Sequence, residues 1–142
     1  MKKLLVAAII SLSSITTVAL AEIKVGIILG FTGPIESLTP AMRDGAKLAF
    51  LEASNSGNLL DGETFTIMEA DSTCVDSAAA TAAAEQLVAD GVSAIMGADC
   101  SGVTGAINAN VAVPNGILMV SPSATSPGLS KIADNGTFWR TA

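Results

Sequence analysis

The chain has 142 residues, with 7 basic and 13 acidic side chains, a net charge of −6, and neither histidine nor tyrosine. The acidic balance argues against nucleic acid and anionic membrane surfaces as partners. Without histidine the chain lacks the commonest general base and the commonest metal ligand.

The first 21 residues have the form of a secretory leader. Lys2 and Lys3 precede an apolar run from Leu4 to Ile10, and Ala19-Leu20-Ala21 places small residues where a signal peptidase reads, so cleavage is expected before Glu22. Ser11, Ser13, Ser14, Thr16 and Thr17 interrupt the run and make it a poor permanent span. No cysteine follows the cleavage site, so no lipid anchor is indicated there. Removing the leader leaves five basic against thirteen acidic residues, a net of −8. The remainder is long enough for one modest domain with a real core. It contains no second long apolar run, so the mature chain is expected to be soluble.

Strand and helix signals then alternate. Ile23 to Gly30 is a β-rich apolar run of the kind buried on both faces of a sheet, and Phe31-Thr32-Gly33-Pro34 breaks it. Thr39 stands where an N-cap belongs, with Pro40 at the first helical position. The helix carries Ala41, Ala46, Leu48, Ala49, Phe50 and Ala53 and ends by Gly57. After a loop over 55–62, Thr64 to Ala70 forms a second strand. Asp76 or Ser77 caps a helix from Ala78 to Ala89, stopped by Gly91, whose six alanines before Gln86 let it lie close on a sheet. Val92 to Met96 is a third strand. A short helix runs from near Ser101 to Asn110, and Ile117 to Val120 is a fourth strand, followed by a polar turn from Ser121 to Pro127. Thr137 to Arg140 opens a fifth. Strands separated by helices imply an α/β fold with βαβ units and a parallel sheet. The chain stops at Ala142 as that strand opens, so a piece of a longer protein is expected.

Cys74 and Cys100 both lie in the exported part. In an oxidising compartment such a pair favours a disulfide over two buried thiols, and a metal pair without further ligands is less favoured still.

Ligands of open parallel sheets bind beyond the carboxyl ends of the strands. Phe31–Leu38, Ala98–Thr104 and Ser121–Pro127 occupy such ends, and none offers a nucleophile with a base. Ser101 has no histidine partner, which removes a hydrolytic triad. Neither Gly97, Gly102 and Gly105 nor Gly26, Gly30 and Gly33 forms the dinucleotide fingerprint. A helix start near Ser101 suits a carboxylate, because free N–H groups and the helix dipole favour an anion and the hydroxyl adds a donor. Ser123 and Thr125, two residues apart, can face one cleft, where a loop carbonyl and the Thr125 hydroxyl accept from an ammonium group. The competing reading of both segments is ordinary capping and turn chemistry.

The sequence resembles the leucine/isoleucine/valine-binding family of periplasmic receptors, which serve amino-acid ABC transporters. The matching pieces are Ile23 to Ile27 with Thr32-Gly33-Pro34, Asp44 to Ala49, Asp71 to Cys74, Gly97 to Ser101, Gly116 to Thr125 and Phe138 to Thr141. They run in the family's order, and the Ser121-Pro-Ser-Ala-Thr125 loop and the cysteine positions are the most specific. The resemblance implies a Rossmann-like parallel sheet with flanking helices, the first lobe of a two-lobe protein that closes on its ligand by a hinge motion, as periplasmic binding proteins do. It implies residues 22–142 as the N-terminal lobe without the second lobe, and a disulfide between Cys74 and Cys100. It places Ser101 on the ligand carboxylate through its hydroxyl and N–H. Thr125 gives its N–H to the carboxylate and its hydroxyl to the ammonium, and Ser123 offers the ammonium its carbonyl. The partners implied are an amino acid and an inner-membrane permease, with a monomeric receptor in the periplasm, no cofactor or metal, and no catalysis. The segment Ile35 to Pro40 departs from the family, which often has an aromatic residue and a glycine there. The rival readings are a sensor ectodomain for amides or related solutes and, less favoured, an exported enzyme.

Overall fold

A computed structural model describes residues 22–59 and 62–142; the leader reading of residues 1–21 lies outside them. Five strands, β1 (Glu22–Leu29), β2 (Thr64–Asp71), β3 (Ala94–Gly97), β4 (Leu118–Ser121) and β5 (Phe138–Arg140), pair in parallel in the order β2-β1-β3-β4-β5. This is a doubly wound α/β sheet whose winding reverses between β1 and β3. β1 takes an interior place, between β2 and β3, because its apolar run can be buried from both sides: Ile27, Ile28 and Leu29 are fully buried.

Alternate residues of the strands serve opposite faces. One face, with Ile28, Ile95, Met119 and Phe138, is covered by helix α2 (Ser77–Ala89) and helix α3 (Ser101–Ile107), which contribute Ala80, Ala84, Leu87, Val103 and Ile107 to a continuous core. The alanines bring α2 close to the sheet, and Gly26 completes the fit. A Cβ at Gly26 would lie 2.8 Å from Leu87 Cδ1. The Asp76 side chain caps α2, accepting from the N–H groups of Ala78 and Ala79. On the other face, helix α1 (Thr39–Asn55) packs against β1 and β2, with Phe50 and Phe65 ring centroids 5.0 Å apart. Beside it lies an apolar cleft of about 450 Å³, lined by Ile23, Val25, Phe65, Met96, Leu118 and Val120 among others. No helix among the described residues is long and apolar enough to cross a membrane.

Local differences from the sequence expectations have clear causes. Thr39 is the first helical residue, not the N-cap; Leu38 holds that position with helical backbone angles. The Thr39 hydroxyl instead donates to the carbonyls of Gly30 and Glu36, which ties α1 to the end of β1. β3 begins at Ala94 and not Val92, because the Val92 N–H turns back to the Leu87 carbonyl. The helical course after Ser101 continues past Asn110, through a π-helical turn (Asn108–Ala112) and a last turn α4 (Val113–Asn115). The wide turn sits just ahead of Pro114, whose ring and missing N–H spoil an α-helical bond to residue 110. A 3-10 turn (Pro127–Lys131) was not apparent from the sequence.

Cys74 and Cys100 form a disulfide, with Cα atoms 5.2 Å apart and a sequence separation of 26. Unreduced, denatured protein is therefore expected to show no titratable thiol; two labels per chain would refute the bridge. Closing a loop of this length contributes about 3–4 kcal/mol in the chain-entropy model, so reduction should lower the free energy of unfolding in urea by a similar amount.

Candidate functional site

The carboxyl ends of β1 and β3 flank the point where the winding reverses, the usual place for a ligand in such sheets. Cys74 follows β2 and Cys100 follows β3, so the disulfide bridges the two neighbours of β1 across its end. Gly30 lies beneath the bridge. A Cβ there would come within 3.1 Å of the Cys74 Cβ and 3.4 Å of Asp99 Oδ2, so a side chain would press these neighbours outward by a few tenths of an ångström.

Asp99, 3 % exposed, occupies the centre of this corner. Its Oδ2 accepts from the Gly30 N–H at 2.7 Å, and its Oδ1 accepts from the Cys100 N–H at 2.9 Å and the Ser72 hydroxyl at 3.3 Å. Its carbonyl accepts from the Ser123 hydroxyl at 3.0 Å. One residue thus ties the loops after β1, β2 and β4 to the start of α3. A buried carboxylate is tolerated when it is satisfied in this way. At the rim, Asp71 accepts from the Thr32 hydroxyl at 2.6 Å and the Thr73 N–H at 2.8 Å. Burial acts to raise the Asp71 pKa, but the hydrogen bonds from Thr32, Thr73 and Phe31 outweigh it and hold the group below its ordinary range.

Cys100 occupies the N-cap of α3, but its side chain makes no cap hydrogen bond. The first-turn N–H groups of α3 are therefore left to other acceptors. Ser101, the first residue of α3, is half-buried; its Oγ accepts from the Ser126 N–H at 3.0 Å, and among the described residues its own hydroxyl proton has no acceptor. This bond brings the segment after β4 against the start of α3. Within that segment Ser121 Oγ accepts from the Ala124 N–H, and Ser123 is half-buried against Asp99. Thr125 is exposed, and among the described residues neither its N–H nor its hydroxyl has a hydrogen-bond partner. Ser101, Ser123 and Thr125 therefore meet at one corner, with N–H and hydroxyl donors beside carbonyl and hydroxyl acceptors. Such a set suits a ligand that carries an anion and a cation close together. No described group of three His, Cys, Asp or Glu residues is placed to hold a metal ion.

Asp99, Ser121 and Arg140 were not singled out in the sequence. An acidic residue inside the small-residue segment Gly97 to Ser101, directly after a buried strand, was the available signal for Asp99. Arg140 Nη1 donates to the carbonyls of Ala124 at 2.9 Å and Ser126 at 2.8 Å; nothing in sequence spacing links it to a segment some 15 residues earlier.

A model of the periplasmic binding protein family matches residues 22–141. A Leu/Ile/Val-binding protein of Rhizobium johnstonii is 33 % identical over 129 residues, which are 91 % of this chain and 34 % of the relative. The leucine-specific-binding protein of Salmonella typhimurium is 30 % identical, with the same coverage of each chain. Among solved structures, the branched-chain amino acid transporter substrate-binding protein LivJ from Streptococcus pneumoniae, in complex with isoleucine, superposes with a TM-score of 0.75 at 31 % identity, over 84 % of this chain and 33 % of that one. The chain spans about a third of the length of these relatives.

The Asp99 network predicts a stability effect. Asp99→Asn presents an amide NH₂ where at least one partner is itself a donor, leaving a buried N–H or hydroxyl unmatched. The variant is expected to lose about 1–3 kcal/mol in urea unfolding, while the surface change Glu85→Gln stays within about 0.5 kcal/mol. An unchanged midpoint for Asp99→Asn would show that the carboxylate is not the tie.

Proposed function

The chain belongs to the periplasmic binding protein family, and on that premise we propose that it forms the first lobe of a two-lobe, monomeric receptor that captures an amino acid in the cleft between lobes. The ligand is of branched-chain type or a related solute, and the receptor delivers it to an ABC-transporter permease in the inner membrane. Residues 1–21 serve as the cleaved leader that sends it to the periplasm. The role is binding without catalysis: the corner holds hydroxyls and backbone groups, and the chain has no histidine to act as base.

The observation that carries the reading is the junction of the α3 start with the Ser123–Thr125 segment, joined by the Ser126 N–H to Ser101 Oγ bond. Ser101 offers its hydroxyl and N–H to the ligand carboxylate, and Thr125 adds its N–H. The Thr125 hydroxyl and the Ser123 carbonyl accept from the ammonium. Neutral donors at a helix start suit a carboxylate because the aligned peptide dipoles supply the positive potential. The second lobe supplies the other wall of the cleft and the acidic partner of the ammonium. The segment Ile35 to Pro40, which follows β1 and is tied to Gly30 through the Thr39 hydroxyl, contributes to the side-chain pocket.

Each truncation of a hydrogen bond to a charged ligand group in a closed cleft is worth about 1.5–3 kcal/mol, or roughly ten- to a hundred-fold in affinity. In the complete receptor, Ser101→Ala and Thr125→Val should weaken every amino-acid ligand by similar factors and hardly alter the ranking among side chains. Thr125→Val is the cleaner variant: its side chain is exposed, so the apo melting temperature should barely move. Ser101→Ala also removes an acceptor from the Ser126 N–H, a loss of about 0.5–1.5 kcal/mol in apo stability. Calorimetric titration with leucine and several other amino acids, alongside apo melts, tests both; full affinity in Thr125→Val with a lowered melting temperature refutes the site.

Residues 22–142 by themselves leave the ligand half in water and lack the acid for its ammonium. They are expected to bind leucine at least roughly a hundred-fold more weakly than the complete receptor, the equivalent of about one such charged hydrogen bond or more. Comparable titration curves for the two would show that this lobe holds the ligand alone.

A further inference from the structure

Building on the site reading just given, we infer that Arg140 is a positioning residue for ligand capture: it holds the carbonyls of Ala124 and Ser126, the residues on either side of Thr125, and through the Ala124–Thr125 peptide aims the Thr125 N–H at the ligand carboxylate. In a trans peptide the C=O and the following N–H lie on opposite edges of one plane. Arg140 Nη1 holds the Ala124 carbonyl at 2.9 Å, so the Thr125 N–H, on the opposite edge of that plane, points away from the guanidinium. The same nitrogen holds the Ser126 carbonyl at 2.8 Å, while the Ser126 N–H is engaged by Ser101 Oγ at 3.0 Å. Upstream, the Ala124 N–H is taken by Ser121 Oγ at 3.0 Å, which turns the Ser123 carbonyl away from Ser121. The backbone groups used internally are thus the Ala124 N–H, the Ala124 carbonyl, the Ser126 N–H and the Ser126 carbonyl. Those left over include the Thr125 N–H and the Ser123 carbonyl, the pair assigned to the carboxylate and the ammonium.

The placement of Arg140 is itself determined by the sheet. Arg140 lies in parallel register with Ser121 on β5 and β4. The next residue, Thr141, donates its N–H to the Ser121 carbonyl and its hydroxyl to the Pro122 carbonyl, so the end of β5 is fastened along the start of the segment it holds. The second guanidinium nitrogen, Nη2, donates to Ser130 Oγ. Arg140 has three neutral oxygen partners, and among the described residues no carboxylate forms an ion pair with it. Its positive charge therefore stands uncompensated behind Thr125 and favours an anion on the far side of the N–H. A lysine brings the charge without the planar fork, and a glutamine brings one donor group without the charge.

The test uses the complete receptor, titrated with leucine and with leucinamide, which keeps the side chain and the ammonium but lacks the carboxylate. Ser101→Ala is measured in parallel. Arg140→Gln is expected to weaken leucine roughly ten-fold or more, the scale of a charge-assisted bond to a ligand, and to reduce the preference for leucine over leucinamide. Arg140→Lys, which also serves if the glutamine variant folds poorly, should retain part of that preference with intermediate affinity. The Thr125 amide resonance should shift in both variants before ligand is added. A lowered melting temperature with leucine affinity and the leucine-to-leucinamide ratio unchanged overturns the inference, leaving Arg140 as a structural fastener. If Ser101→Ala weakens leucine and the Arg140 variants do not, only the inference falls. If Ser101→Ala binds leucine at full strength, or the wild type takes no leucine, the underlying site reading falls and the inference with it.

Discussion

The carboxyl edge of the sheet depends on how the end of β1 is closed. β1 is an interior strand, and its last residues are buried on both faces. The backbone that leaves it therefore has to find partners without water. Gly30 passes under the Cys74–Cys100 bridge, and its N–H is accepted by the buried carboxylate of Asp99. The disulfide restrains the loops after β2 and β3 covalently, and Asp99 joins the same loops through hydrogen bonds. Two independent ties converge on one strand end, and the start of α3 inherits its place from both.

The proposed ligand corner is built outward from that closure. The Ser123 hydroxyl reaches the Asp99 carbonyl, and the Ser126 N–H reaches Ser101, so the segment after β4 is held from the β3 side. Arg140 and Thr141 hold it from the β5 side. A short irregular segment clamped from two strands loses little conformational freedom when a ligand arrives, which is the condition for affinity from a few hydrogen bonds. Small side chains serve this purpose because the backbone itself presents most of the donors and acceptors.

The two faces of the sheet are covered unequally. α2 and α3 lie close on one face because alanines and Gly26 remove the bulk between helix and strands. On the other, α1 rests chiefly on β1 and β2, Leu48 and Leu51 of that helix are more than half exposed, and Leu118 is 44 % exposed. The apolar cleft beside α1 has no polar group of its own to recognise a zwitterion. It lies on a face of the sheet and not at the carboxyl edge where Ser101 and Thr125 meet.

Much of the architecture was legible in the residues themselves. Apolar runs bounded by glycine and polar turns marked the strands, alanine-rich and capped segments marked α2, and their alternation implied the parallel sheet, because local periodicity and turn chemistry are written in neighbouring residues. The boundaries moved where a particular hydrogen bond or ring outweighed local propensity: Thr39 gave its hydroxyl to Gly30, Val92 turned back to Leu87, and Pro114 widened the helix before it. The residue types at Ser101, Ser123 and Thr125 suggested a site, but whether they met could not follow from spacing, since 24 residues separate the Ser123 hydroxyl from the Asp99 carbonyl it reaches. Only the tertiary structure decided that Asp99 is buried and satisfied, that the disulfide straddles β1, and that Arg140 stands behind Thr125. The physical reason is the strand order. It places β3 and β5 on either side of β4, and so sets side by side groups whose chemistry is readable in the chain but whose neighbours are not.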